Sequence, residues 1–263
     1  MAAATPSLLL IHGAWHGAWC WEQAFAPYLR DQGLRVHSLD LPGHGRPGPA
    51  RIGWPAIADY VDAVEARLQA LEGPVVVAGH SMGGFITQKL MERRPPQLAG
   101  AVLMAAATPR GVLGVVGHLV RTRPVDFVLA NLRLDLYHLV RRPELSGAMF
   151  YSPELPAAEV EQHWQQLSNE SYRAFLDMLG LAAPRPARAD PALPKLVLGG
   201  ERDLIFPPAI VERTAAAYGT QARIYPRMGH NLMQDIGWEQ VATDLAEWLR
   251  SLGSCEEAPR RSP

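Results

Sequence analysis

The stretch VVVAGHSMGGFITQKLMERR, residues 75 to 94, runs from a β-branched segment through a glycine-flanked serine into an amphipathic tail. Val75 to Ala78 reads as a buried strand and FITQKLMERR as a helix, so Ser81 in Gly79-His80-Ser81-Met82-Gly83 falls at a strand-to-helix corner. A nucleophile at such a corner needs a strained backbone, and Gly79 and Gly83 remove the Cβ atoms that would collide where strand and helix close on each other. The start of the helix also sets free N–H groups and a positive dipole end beneath any negative charge that develops there. A bare G-x-S-x-G is common; with a strand before it and a helix after it, the pattern marks a nucleophile.

Outward from this corner, short apolar runs recur at Leu8 to Ile11, Arg35 to Leu39, Ala101 to Met104, Lys195 to Leu198 and Arg223 to Tyr225. Amphipathic stretches such as IADYVDAVEARLQALEG lie between them, which predicts an α/β fold with a mostly parallel sheet flanked by helices. The alternation fails between Pro109 and Pro194. There GVVGHLVRTRPVDFVLANLRLDLYHLV and AAEVEQHWQQLSNESYRAFLDMLGL read as helices, an inserted helical cap, since a structureless loop of that length is improbable in a compact domain. The expected organisation is core over 1–108, cap over 109–193, core again over 194–252, and a disordered tail over 253–263.

A serine hydroxyl is a poor nucleophile until a base takes its proton, so a histidine and an orienting carboxylate are expected downstream. LPKLVLGGERDLIFPP is a strand followed by a turn carrying Asp203, and RIYPRMGHNLM is the next strand followed by a turn carrying His230. His80 adjoins the serine but its side chain should diverge at the corner, and His118, His138 and His163 fall in the cap. Glu201 and Asp235 compete with Asp203 for the acid, while the turn AAATPRG after Met104 holds no carboxylate.

Acyl transfer builds an oxyanion that needs two preorganised donors. One is the N–H after the nucleophile, Met82; the second should come from the loop His12-Gly13-Ala14-Trp15, where the glycine permits an unusual backbone, the Ala14 N–H faces the site and Trp15 walls it. His16-Gly17 reads as a continuation of that turn. DLPGHGRPG, Asp40 to Gly48, reads as a structural turn after the second strand. Trp15, His80, Leu204 and the cap residues Leu119, Phe127, Trp164, Phe175 and Met178 are the candidates for substrate contact.

The chain has 263 residues, 48% of them hydrophobic, with 25 basic against 26 acidic side chains and a net charge of -1. No overall field favours nucleic acid or an anionic membrane. No apolar run approaches the ~18 residues of a membrane span, and the start lacks a basic leader, so the expectation is a cytoplasmic protein, monomer or homodimer. Cys20 and Cys255 make neither a disulfide framework nor a zinc site, and no metal is expected.

Together these residues resemble the α/β-hydrolase superfamily from Leu8 to Leu252, and HGAWHGAWCW is most similar to the branch of plant methyl esterases, hydroxynitrile lyases and their bacterial relatives. The resemblance implies Ser81, Asp203 and His230 as a triad, Ala14 and Met82 as oxyanion donors, and no cofactor. Lyases of that branch carry a threonine where this chain has Gly13 and a lysine where it has Asn231; haloalkane dehalogenases carry an aspartate where it has Ser81. All three departures favour a serine carboxylic-ester hydrolase acting on small to medium hydrophobic esters. Lactone, thioester or carbon–carbon hydrolysis on the same triad, and a receptor-like homologue with little turnover, are the alternatives.

Overall fold

The computed structural model describes residues 5–254. Among these, β1 (Ser7–Ile11), β2 (Val36–Leu39), β3 (Val75–His80), β4 (Leu98–Met104), β5 (Lys195–Gly200) and β6 (Ala222–Tyr225) form one sheet in the order β2-β1-β3-β4-β5-β6. Every neighbouring pair is parallel, where the sequence had suggested only a mostly parallel sheet. A parallel sheet buries both faces, and the period of two along each strand divides its side chains between them. Leu9, Ile11, Val75, Val77, Ala101 and Leu103 enter one apolar cluster; Leu8, Leu10, Val76, Ala78, Val102 and Met104 enter the other.

Helices cover both clusters. α1 (Trp19–Glu22), α2 (Phe25–Asp31) and α11 (Trp238–Ser254) supply Trp21, Phe25, Val241 and Leu245 to one side. α3 (Ile57–Gln69), α4 (Met82–Arg93) and α10 (Pro208–Ala217) supply Tyr60, Phe85 and Val211 to the other. Tyr60 and Phe85 are fully buried there, and each large side chain withdrawn from water contributes roughly 2 kcal/mol of hydrophobic stabilisation.

Between β4 and β5 the described residues hold helices and turns but no strand: α5 (Leu113–Thr122), α6 (Pro124–Arg133), α7 (Pro143–Phe150), α8 (Ala157–Trp164) and α9 (Tyr172–Leu176). The two long helical stretches read from the sequence are therefore broken. Proline opens α6 and α7, where its fixed φ suits a first helical turn and its missing N–H ends the helix before it. α8 stops at Trp164, and Ser171 starts α9 afresh by accepting the Ala174 N–H at 3.2 Å. At the other end, α11 continues through Ser254, so the tail expected from 253 does not begin there. Its remainder, with Cys255, lies outside the described residues. No helix among the described residues is long and apolar enough to cross a membrane.

Candidate active site

Ser81 sits between β3 and α4 with φ 53° and ψ −115°, a conformation a β-carbon-bearing residue adopts only under strain. The corner can close this tightly because of its glycines. A Cβ on Gly79 would lie 2.1 Å from the Gly83 carbonyl oxygen, and one on Gly83 would lie 2.5 Å from the carbonyl oxygens of Ile11 and His12. Three backbone bonds pin the corner: the Ser81 N–H donates to Met104 O (3.0 Å), and Ser81 O accepts from Phe85 (3.2 Å) and Ala107 (3.1 Å).

Asp203 follows β5 and His230 follows β6, as neighbouring strands of a parallel sheet deliver their loops to the same edge. His230 Nδ1 lies 2.8 Å from Asp203 Oδ2, with both side chains no more than 1% exposed. The other carboxylate oxygen accepts the N–H groups of Ile205 (2.8 Å) and Phe206 (2.9 Å), which fixes its orientation. The rival acids are engaged elsewhere. Glu201 accepts the Arg227 N–H at 2.8 Å on the surface, and buried Asp235 takes donors from Ser152, Gly229 and Ile236.

The loop after β1 passes directly over the corner. A Cβ on Gly13 would come within 2.8 Å of His80 Nδ1 and 3.0 Å of the Ser81 Cβ, so glycine is required there for close approach. The unusual backbone expected at Gly13 belongs instead to Trp15, whose φ is 64°. Among the described residues no hydrogen-bond acceptor takes the Ala14 or the Met82 N–H. His80 Nε2 faces His230 O at 3.1 Å, with the two ring centroids 4.7 Å apart. Burial, with His230 and His16 nearby, holds its pKa well below the ordinary histidine value, so it is a neutral strut.

Ser81 and His230 line one cavity of about 60 Å³. Ala14, Met82 and, of the expected contact residues, Trp15, His80, Leu119, Phe175 and Met178 line it too. Phe127, Trp164 and Leu204 do not. Phe127 packs half-buried against other apolar residues, Trp164 turns to give its indole N–H to Val140 O at 2.9 Å, and Leu204 is 56% exposed. The places are taken by Val112, Val115, Met149, Phe150, Ile205 and Phe206. Ile205 and Phe206 were readable in principle: they lie two and three residues after the carboxylate that caps their N–H groups. Val112, Val115, Ile205 and Phe206 also border a groove of about 840 Å³ lined by the turn from Thr108 into the start of α5 and by α10.

A model of the alpha/beta hydrolase family matches residues 8–245. The chain belongs to this family. It is 28% identical over 237 residues to a monoacylglycerol lipase of Mycolicibacterium smegmatis, covering 83% of this chain and 79% of that protein. To methyl jasmonate esterase 1 of Vitis vinifera it is 35% identical over 103 residues; that match spans only 38% of this chain and 39% of the relative. An esterase from Thermogutta terrifontis shares the fold with a TM-score of 0.70, 24% identity, and coverage of 96% and 92% of the two chains.

In this alpha/beta hydrolase the second His-Gly pair does more than continue a turn. His16 Nδ1 faces Ala14 O at 2.7 Å and therefore carries the ring proton, leaving Nε2 to accept from Asn231 Nδ2 at 2.9 Å. Asn231 also reaches Tyr151 Oη at 3.1 Å. Burial lowers the His16 pKa to about 3, the bond to Ala14 opposing that and His230 adding to it, so the ring is neutral wherever the protein is folded near neutral pH.

Proposed function

We propose that this alpha/beta hydrolase cleaves carboxylic esters of small to medium hydrophobic molecules through an acyl-enzyme on Ser81. The observation that carries the reading is the His230–Asp203 pair at 2.8 Å facing the same cavity as a serine held at φ 53°. Asp203 holds the proton on His230 Nδ1 and leaves Nε2 as the base. Ser81 Oγ attacks the ester carbonyl, His230 takes the hydroxyl proton, and the carbonyl oxygen gains its charge between the Ala14 and Met82 N–H groups. His230 then protonates the departing alkoxide, and water repeats the sequence to release the acid.

The small cavity, walled by Leu119, Met149, Phe175 and Met178, supports a short apolar group beside the reacting carbonyl. The groove beyond Val112, Val115, Ile205 and Phe206 suits the remainder. We read residues 109–193 as the cap that encloses this space. Cyanohydrin cleavage on the same scaffold is disfavoured by two positions: Asn231 brings an amide where an ammonium would be needed, and a side chain on Gly13 would collide with His80 and Ser81.

The test pairs Ser81→Ala with p-nitrophenyl esters of increasing chain length and a fluorophosphonate label. Turnover should fall by about 10⁶-fold, toward background, with the melting temperature nearly unchanged and the label lost from the variant. Wild-type turnover in Ser81→Ala would end the proposal.

A further inference from the structure

Four consecutive polar residues, Ser168, Asn169, Glu170 and Ser171, are all buried in the connection between α8 and α9. Polar groups taken out of water cost free energy unless each finds a partner, so the destinations of their bonds are informative. Glu170 Oε1 accepts from Tyr60 Oη (3.0 Å) and the Ser171 N–H (2.7 Å); Oε2 faces His44 Nε2 (3.1 Å) and accepts the Trp15 N–H (3.3 Å). Trp15 is gripped three times more from the same insertion: its carbonyl accepts the Ser168 N–H at 2.8 Å and the Ser168 hydroxyl at 3.3 Å, and its indole N–H donates to Leu136 O at 3.2 Å.

These bonds converge on a single peptide unit. The plane joining Ala14 to Trp15 offers its carbonyl to His16 and its N–H to Glu170, so both ends are fixed. The Ala14 N–H itself lies in the preceding Gly13–Ala14 plane, whose carbonyl accepts from His12 Nδ1 at 2.8 Å and from the His16 N–H at 3.3 Å; Ala14 alone joins the two planes, so with both held the direction of its N–H is set. We infer that Glu170 is a positioning residue for the oxyanion hole: from the insertion, its carboxylate clamps the Ala14–Trp15 peptide and so aims the Ala14 N–H at the carbonyl under attack. The inference rests on the Ser81 mechanism proposed above. All four groups around Glu170 present a proton, which a carboxylate accepts on both oxygens; glutamine would turn an NH₂ toward two of the donors, so even this isosteric change breaks the clamp.

The experiment measures kcat and KM on a p-nitrophenyl ester, together with inhibition by an alkyl trifluoromethyl ketone, whose hemiketal oxyanion occupies the hole. In Glu170→Gln, kcat should fall about 10- to 100-fold, less than the 10²–10³ of a deleted donor, and inhibitor affinity should fall by the same factor while KM stays within about threefold. Unchanged kcat and inhibitor affinity would overturn the inference, as would an equal loss in KM, which would indicate a distorted pocket. Should Glu170→Gln fail to fold, Trp15→Phe cuts the tether to Leu136 and leaves Glu170 in place. It should weaken the trifluoromethyl ketone by about 3- to 10-fold, and undiminished affinity would count against the clamp. A wild-type protein inert to both ester and ketone would refute the Ser81 mechanism instead, so the two failures are distinguishable.

Discussion

Among the described residues two buried histidine–carboxylate pairs occur, and the proposed mechanism gives them different work. His230 and Asp203 are 2.8 Å apart with His230 on the wall of the cavity at Ser81; His44 and Glu170 are 3.1 Å apart, equally sealed, and join the turn after β2 to the insertion. Pair chemistry alone therefore does not distinguish a base from a brace. The surroundings do: His230 lines a cavity, whereas the His44 ring lies 4.8 Å from the His12 ring, tilted by 57°, and its partner is saturated by four donors.

The largest effect that would break this contrast is at Asp203. Asp203→Asn keeps an oxygen for the Ile205 and Phe206 N–H groups but presents an amide to His230, forcing the wrong tautomer, and kcat should fall about 10⁴-fold. Steady-state kinetics showing less than a tenfold loss would mean the pair is a brace too. Asp235 sharpens the point, because it is buried within five residues of His230 yet its carboxylate accepts from Ser152, Gly229 and Ile236. Asp235→Asn should lower stability by about 2–3 kcal/mol in urea titrations while kcat stays within a few fold. A kinetic defect exceeding that of Asp203→Asn would reassign the acid.

The smallest effect concerns His44. Burial works against its charge, but Glu170 outweighs this and the ring's pKa stands above the ordinary histidine value. A raised folded pKa gives stability that is fully present below about pH 6.5 and is lost as pH rises through the folded value. The difference in unfolding free energy between wild type and His44→Gln should thus shrink by about 1 kcal/mol from pH 6 to pH 9. His12, His16 and His80 have pKa values lowered chiefly by burial, so their rings are neutral in both folded proteins between pH 6 and pH 9 and the difference over that range isolates His44. A gap that widens with pH would contradict the paired charge.

The contrast also explains what was legible beforehand. Six strands announced themselves as short β-branched or leucine-rich runs, and each residue expected to do chemistry lay in the turn after one of them. Strand ends in a parallel sheet converge on one edge, so Ser81, Asp203 and His230 could be placed without knowing any side-chain direction. The insertion gave no such anchor. Its helices turn on prolines and caps whose angles no periodicity reports, so Phe175 and Met178 reach the cavity while Phe127 and Trp164 pack elsewhere. SNES, residues 168 to 171, reads as an ordinary polar helix segment, and only the tertiary structure reveals it as buried. Likewise His44, in a turn read as merely structural, shows its partner 126 residues away only once the chain is folded.

The clamp on the Ala14–Trp15 peptide has a consequence for how the chain acquires its shape. Trp15 is tied to Leu136 across 121 residues and to Glu170 across 155, and His16 is tied to Asn231 across 215. Closing loops of that length costs entropy that local contacts cannot supply, and these bonds have nothing to grip until the insertion and the last turn have docked. The sheet beneath can pair earlier through contacts closer in sequence, such as β3 with β4. The loop after β1 thus depends on segments far along the chain, and a chain with most of its sheet in place still lacks the docked partners that shape it.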